Sequence, residues 1–213
     1  MNKDIFNNIE IELLSDTTFS SGYENIGSVD IEIDHDDLGL PMLSGKTLHG
    51  LLRDGCLSLS KVFNFKQEVI KRVFGLSKDN DEKSILRLSN ARFKSDVIKW
   101  IKYAENKKNA EITSNIVLES QTSIRTQTSI DETTGAPKEG TLRFSRVANR
   151  GIKLYSTLTW TEEPNEEELK YLAIACLSVR HAGWERNRGR GHIKVTLNGD
   201  LSLTQRLAKG EIK

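Results

Sequence analysis

The chain has 213 residues and a mass of 24.0 kDa, enough for one large domain or two small ones. Hydrophobic residues make up 37% and charged residues 29%, a balance that fits a globular protein and excludes collagenous, mucin-like and low-complexity classes. The net charge of +1 hides a segregation: residues 28–37 hold Asp30, Glu32, Asp34, Asp36 and Asp37 without a cation, and residues 61–108 carry 13 Lys and Arg against 6 Asp and Glu. Residues 180–194 add Arg180, Arg186, Arg188, Arg190 and Lys194 against Glu185 alone. Separated basic segments can present an electropositive groove to a polyanion, or can be solvated helix faces. No apolar run approaches the ~18 residues of a membrane span, and the opening Met1-Asn2-Lys3-Asp4-Ile5-Phe6 lacks the core of a secretion signal, so no membrane partner and a cytoplasmic location are expected. Cys56 and Cys176 are too few for a disulfide framework or a zinc site and fall in apolar helical patterns, which predicts reduced core thiols.

In chain order, residues 8–14 alternate Ile9, Ile11 and Leu13 with polar residues, the pattern of a half-buried strand. Residues 28–34 alternate again, with Val29, Ile31 and Ile33 opposite Asp30, Glu32 and Asp34. After the turn signal Leu38-Gly39-Leu40-Pro41, Leu48, Leu51, Leu52, Cys56 and Leu59 follow helical spacing, and Gly50 and Gly55 within that helix predict that something approaches it closely. Residues 94–108 predict a further helix. Residues 120–150, rich in Thr, Ser, Arg and Gly without a sustained period, predict an extended excursion. Residues 152–160 read as a strand with Ile152, Leu154, Ser156, Leu158 and Trp160 on one face. Asn165 with Glu168 three positions on is a capping pair for a helix whose inward stripe is Leu169, Leu172, Ala173, Cys176 and Leu177. Ile193, Val195 and Leu197 mark a last strand. The order gives a βαββαβ plan with long insertions, an α+β sheet with helices on one face, in a single domain over residues 1–213.

Several motifs are tested against chemistry. Gly45-Lys46-Thr47 before a helix suggests a phosphate-cradling loop, but Gly39 and Gly45 have five residues between them and Pro41 removes an amide, so a nucleoside triphosphate site is rejected. What survives is a helix N-terminus that, with Lys46 and Thr47, suits a single phosphate or a sugar-phosphate backbone. Asp30, Glu32 and Asp34 alternate as in a calcium loop, but the required Gly and Glu are replaced by His35 and Pro41. The strip is either a solvated strand face or the carrier of one carboxylate for a metal or a reacting 2′-hydroxyl. Arg186-Asn187-Arg188-Gly189-Arg190-Gly191-His192 joins a helix to a strand, with glycines that let backbone approach a ligand and arginines directed at phosphate. His35, His49, His181 and His192 show no metal-ligand spacing.

The run Gly39-Leu40-Pro41-Met42-Leu43-Ser44-Gly45-Lys46-Thr47-Leu48-His49-Gly50-Leu51-Leu52-Arg53 resembles a signature of the RAMP superfamily, the RNA-binding subunits of CRISPR effector complexes. Val73-Phe74-Gly75 and the later Leu86-Arg87-Leu88-Ser89-Asn90-Ala91-Arg92-Phe93 are similar to its next block. Residues 129–142 resemble its thumb hairpin, and Arg188-Gly189-Arg190-Gly191-His192 takes the place of its glycine-rich loop. These blocks span roughly residues 14–196 in family order, and Ile26-Gly27-Ser28-Val29-Asp30 looks most like the backbone-type subunit of type III complexes. The resemblance implies a modified ferredoxin-like (RRM-like) fold with a thumb insertion at 120–150. It also implies partnership with guide RNA, complementary target RNA, other copies of the chain and other effector subunits. Lys46, Thr47, His49, Arg53, Arg125, Arg188, Gly189, Arg190 and Gly191 become the expected RNA contacts. Asp30 becomes the expected catalytic and metal-holding residue of an endoribonuclease using Mg or Mn. The family's usual histidine near the first strand has no counterpart at residues 18–22, and Lys46-Thr47-Leu48-His49 replaces the usual Ser-Ser-Leu-Lys. A non-cleaving scaffold, a guide-precursor processing enzyme and an unrelated adaptor are the competing readings.

Overall fold

The structure, a computed structural model, describes residues 6–20, 29–75, 84–107 and 111–211. The elements in chain order are β1 (Asn8–Leu13), α1 (Gly45–Phe63), α2 (Gln67–Phe74), β2 (Leu86–Leu88), α3 (Ser95–Glu105), α4 (Ser114–Gln121), β3 (Thr122–Gln127), β4 (Arg143–Ala148), β5 (Lys153–Trp160), α5 (Glu166–Ser178), β6 (Ile193–Leu197) and α6 (Leu201–Lys209). Four strands form an antiparallel sheet in the order β2-β5-β1-β6. β1 and β2 are joined through α1 with β5 between them, and β5 and β6 are joined through α5 with β1 between them. This is the doubled split βαβ of a ferredoxin-like fold, with insertions.

Alternation decides the faces. Ile9, Ile11 and Leu13 of β1, Leu154 and Leu158 of β5, and Ile193, Val195 and Leu197 of β6 are all buried. They meet Leu48, Leu52 and Cys56 of α1 and Leu169, Leu172, Ala173 and Cys176 of α5 in one core. The opposite face is polar and ion-paired across the register, Lys153 to Glu10 at 3.0 Å and Lys194 to Glu12 at 2.9 Å. α5 starts with the expected capping box, in which Asn165 accepts from the Glu168 N–H and Glu168 accepts from the Asn165 N–H. Burial pushes the thiols of Cys56 and Cys176 up to about 12, so both are inert core residues. A Cβ on Gly55 would collide with Ser178 Oγ, which explains a glycine where α1 crosses α5. Among the described residues nothing lies within 4 Å of where a Cβ on Gly50 would stand.

The expected strand at 28–34 is not formed as such. Ser28 lies outside the described residues, and the remainder makes isolated bridges, Ile31 to Ser145 and Ile33 to Ser20. Val29 and Ile33 are buried and Ile31 is half-buried, so the alternation holds, but each side offers a partner for only a residue or two. Of the segment Ile26-Gly27-Ser28-Val29-Asp30, the first three residues lie outside the described residues, as does the end of the helix expected at 94–108. The 120–150 excursion resolves into the end of α4 and an antiparallel ribbon of β3 and β4, in register from Thr122↔Ala148 to Gln127↔Arg143. α2, α4, α6 and the three-residue β2 had no distinct signal, because elements of 3–9 residues are too short to show a period.

Candidate nucleic-acid interface

The register places the C-terminal end of β1 beside the N-terminal ends of β5 and β6, through Glu12↔Lys153 and Leu13↔Ile193. The loop after β1, the ribbon that leads into β5 and the loop that leads into β6 therefore open at one end of the sheet. α1 runs back between the parallel strands β1 and β2, so its N-terminus lies at that end too.

The glycine-rich loop is pinned at its neck and open at its tip. Ala182 N donates to Gly191 O and Gly191 N to Asp16 O, each at 2.9 Å, while Trp184 N donates to Thr18 O at 2.9 Å. Gly191 has φ +70°, and a Cβ there would collide with the Ala182 carbonyl oxygen; Gly189 has φ +76° with open space around it. Only glycine meets both demands at Gly191. Arg190 is held inward by Glu185 at 3.1 Å and by Ser145 Oγ at 3.2 Å. The Arg188 side chain is 78% exposed, with Glu185 at 3.4 Å.

Beside this loop lies a cleft of about 610 Å³ lined by Leu14, Ser15, Asp16, Arg125, Arg150, Gly189 and Arg190. Three arginines line it against one lining carboxylate, Asp16, while Glu185 holds Arg190. Burial would raise the Asp16 pKa, but the hydrogen bonds from Arg125 and from the Arg150 N–H at 3.1 Å outweigh it and leave the pKa lowered. Asp16 therefore stays ionised, positioning Arg125 and the Arg150 backbone, and the cleft keeps an excess of positive charge suited to phosphates. Of the expected contacts, Arg125, Gly189 and Arg190 converge here. Sequence alone does not mark Arg150 and Asp16 as site residues, because their pairing spans distant parts of the chain.

Asp30 is exposed and sits beside the outer end of the ribbon, where Phe144 faces Thr126. Its Oδ2 accepts from Phe144 N at 2.6 Å, and its own N–H donates to Phe144 O at 2.9 Å. Ser145, the next residue, is the hydroxyl that receives Arg190, so the expected catalytic residue and the glycine-rich loop are tied to adjacent residues of β4. The other acidic residues of that strip do not join it. Glu32 pairs with Arg146 Nε at 2.8 Å, and Asp34 is half-buried with its pKa raised by that burial. Among the described residues no three His, Cys, Asp or Glu come together. Among these described residues, Asp30, Glu32 and Asp34 do not make a metal-binding cluster on their own.

At the start of α1, Gly45 N donates to Asn90 Oδ1 at 3.0 Å, and Lys46 and Thr47 are exposed. His49 turns into a niche where Nε2 meets Ser84 Oγ at 3.1 Å and the ring meets Phe74 edge-on. Burial, with the Arg53 and Arg87 cations nearby, lowers the His49 pKa, so at neutral pH it offers a polar ring and not a charge. Arg53 is paired with Asp54 at 3.3 Å. None of these residues of α1 is among those that line the cleft.

An antiparallel sheet of two split βαβ units with a basic glycine-rich loop at one end defines the class, a ferredoxin-like domain elaborated by insertions. The RAMP superfamily model matches residues 10–194, and the chain belongs to that superfamily. Similar solved structures include a chain of the type III-B Cmr-beta complex bound to cognate target RNA, at 13% identity and TM-score 0.67, covering 94% of this chain and 98% of that one. A chain of the same complex in its apo state aligns at 15% identity and TM-score 0.66, covering 91% of this chain and 97% of that one. At such identities the likeness is one of fold. Among curated proteins none matches. No helix among the described residues is long and apolar enough to cross a membrane.

Proposed function

We propose that this chain is a guide-RNA-binding backbone subunit of a type III CRISPR effector complex, assembled with further copies of itself and with other subunits. The observation that carries this is the cleft in which Arg125, Arg150 and Arg190 surround Gly189 at the open end of the sheet. Arginines on a glycine loop recognise phosphates without reading bases, which a subunit that accepts any guide requires. Lys46 and Thr47 at the start of α1, with His49 and Arg53 further along, extend the grip. The ribbon of β3 and β4 acts as the thumb that separates guide and target pairs. The known folds of similar chains from a target-RNA-bound complex support the reading.

Cleavage of the paired target is the finer part of the proposal. Asp30 is bonded to Phe144, the neighbour in β4 of the Ser145 that receives Arg190, and its carboxylate is assigned the task of orienting a target 2′-hydroxyl towards the adjacent phosphate. Aspartate is in general a poor proton acceptor at neutral pH, so orientation is the role assigned to it. Dependence on Mg or Mn belongs to this proposal only if RNA phosphates bring most of the ligands, as is common for Mg²⁺. A non-cleaving scaffold is the second reading, favoured by the engagement of Asp30 with Phe144 N and of Glu32 with Arg146. The test is to purify the assembled complex and measure its 260/280 nm absorbance ratio, then present complementary RNA with Mg²⁺, with Mn²⁺ or with EDTA. A nucleic-acid-free protein that cannot bind RNA overturns the proposal. A complex that binds target and leaves it intact under every condition selects the scaffold.

A further inference from the structure

α3 carries two large aromatic rings that the fold does not use. Ile101 on its inner side is buried against Leu38, Leu40 and Val117, and the half-buried Ile98 joins that cluster. This small second core holds the helix in place, so what its outer side shows is fixed there. Trp100 is 61% exposed and Tyr103 is 65% exposed. Three positions apart, they are neighbours on one face of the helix. An ordered aromatic pair facing water is surface with a use, since such residues otherwise bury 150–250 Å² each, as a rough figure.

The charge around the rings selects the occupant. Residues 94–107 carry Lys94, Lys99, Lys102 and Lys107 against Asp96 and Glu105. Lys107 Nζ lies 4.8 Å from the centre of the Tyr103 ring. At the start of the helix Lys94 Nζ lies 5.0 Å from the ring of Tyr155. Tyr155 alternates with the buried Leu154 and so points to the polar face of the sheet, which sets the start of α3 near that face. Aromatic faces interleaved with lysines match a strand that offers both bases and phosphates. An A-form duplex hides its base faces, so the match is to an unpaired stretch.

We infer that Trp100 and Tyr103 form a stacking platform for single-stranded RNA, a contact separate from the arginine cleft. The choice of ligand rests on the RNA-binding reading above; the site does not depend on cleavage. The test uses the full chain and two fluorescent 12-nucleotide strands, oligouridine and an abasic strand with the same phosphates, read by anisotropy. The wild type should bind oligouridine at least tenfold more tightly than the abasic strand. Trp100→Ala with Tyr103→Ala should abolish that preference and leave the salt slope unchanged, because no cation is removed. Trp100→Phe with Tyr103→Phe should retain most of it. Equal binding of both strands by the wild type overturns the platform and leaves the RNA reading standing. Binding of neither strand overturns both. A preference that survives the alanine pair overturns the platform, and a simultaneous change in self-association would identify the face as a protein interface.

Discussion

Replacing Asp30 separates its structural work from its proposed chemistry, provided two substitutions are compared. Asp30→Ala removes both the carboxylate and the acceptor for Phe144 N, a 2.6 Å contact near the outer end of the ribbon. Hydrogen bonds to charged groups contribute about 1.5–3 kcal/mol, but water competes at an exposed side chain, so a loss of about 1 kcal/mol is expected. For a domain of this size that is a fall in Tm of about 2–4 °C. Asp30→Asn keeps an oxygen in position for the same N–H and should lose only a few tenths of a kcal/mol. Both variants should still bind guide and target, and both should slow target cutting by at least a hundredfold, roughly the contribution of a positioned catalytic group. Thermal melts of the purified chain and cleavage of labelled complementary RNA by the assembled complex check the two halves separately. Wild-type cutting by Asp30→Asn would remove Asp30 from catalysis. Equal thermal losses for the two variants would show that the Phe144 hydrogen bond is not what alanine forfeits.

Changing Arg188 and Arg190 together to Glu should weaken RNA binding and flatten its log–log salt dependence by about 0.7–0.9 per lost phosphate contact, measured by titration at several salt concentrations. Taken singly, Arg188→Ala should leave stability unchanged because its side chain is 78% exposed. Arg190→Ala should cost about 1–2 kcal/mol as well, since Glu185 and Ser145 lose their partner. In the same loop, Gly189→Ala, with φ +76° but open space, should cost about 1–2 kcal/mol in urea denaturation. Gly191→Ala meets the Ala182 carbonyl and should cost about 3 kcal/mol or more. Burial lowers the His49 pKa in the folded chain, so the unfolded chain takes up the proton first on acidification. The stabilisation is complete above the unfolded value of about 6.5 and is lost as the pH falls from there through the folded value. Urea midpoints at pH 8 and pH 5 should differ by less in His49→Gln than in the wild type.

What the amino-acid sequence determined by itself is what neighbours along the chain decide. The alternation of Ile9, Ile11 and Leu13, the stripe from Leu48 to Cys56 in α1 and the Asn165–Glu168 box of α5 each act within one or two turns or pleats, and each stands in the structure as read. The split βαβ order follows from these elements and from the handedness of crossovers. The glycines at 189 and 191 were legible as a loop, though not the distinction between an open tip and a neck closed by Ala182. The tertiary structure alone decided the rest, because it rests on pairs far apart in sequence. Arg125 and Arg150 share Asp16, and Arg190 reaches Ser145 of the ribbon. Glu32, which shared a predicted strand face with Asp30, is drawn off by Arg146, and His49 is turned into a niche made by Ser84 and Phe74. A polar side chain takes whichever partner the folded chain brings within about 3 Å. Local periodicity carries no record of that partner, so the elements were readable from sequence while the distribution of charge among them was not.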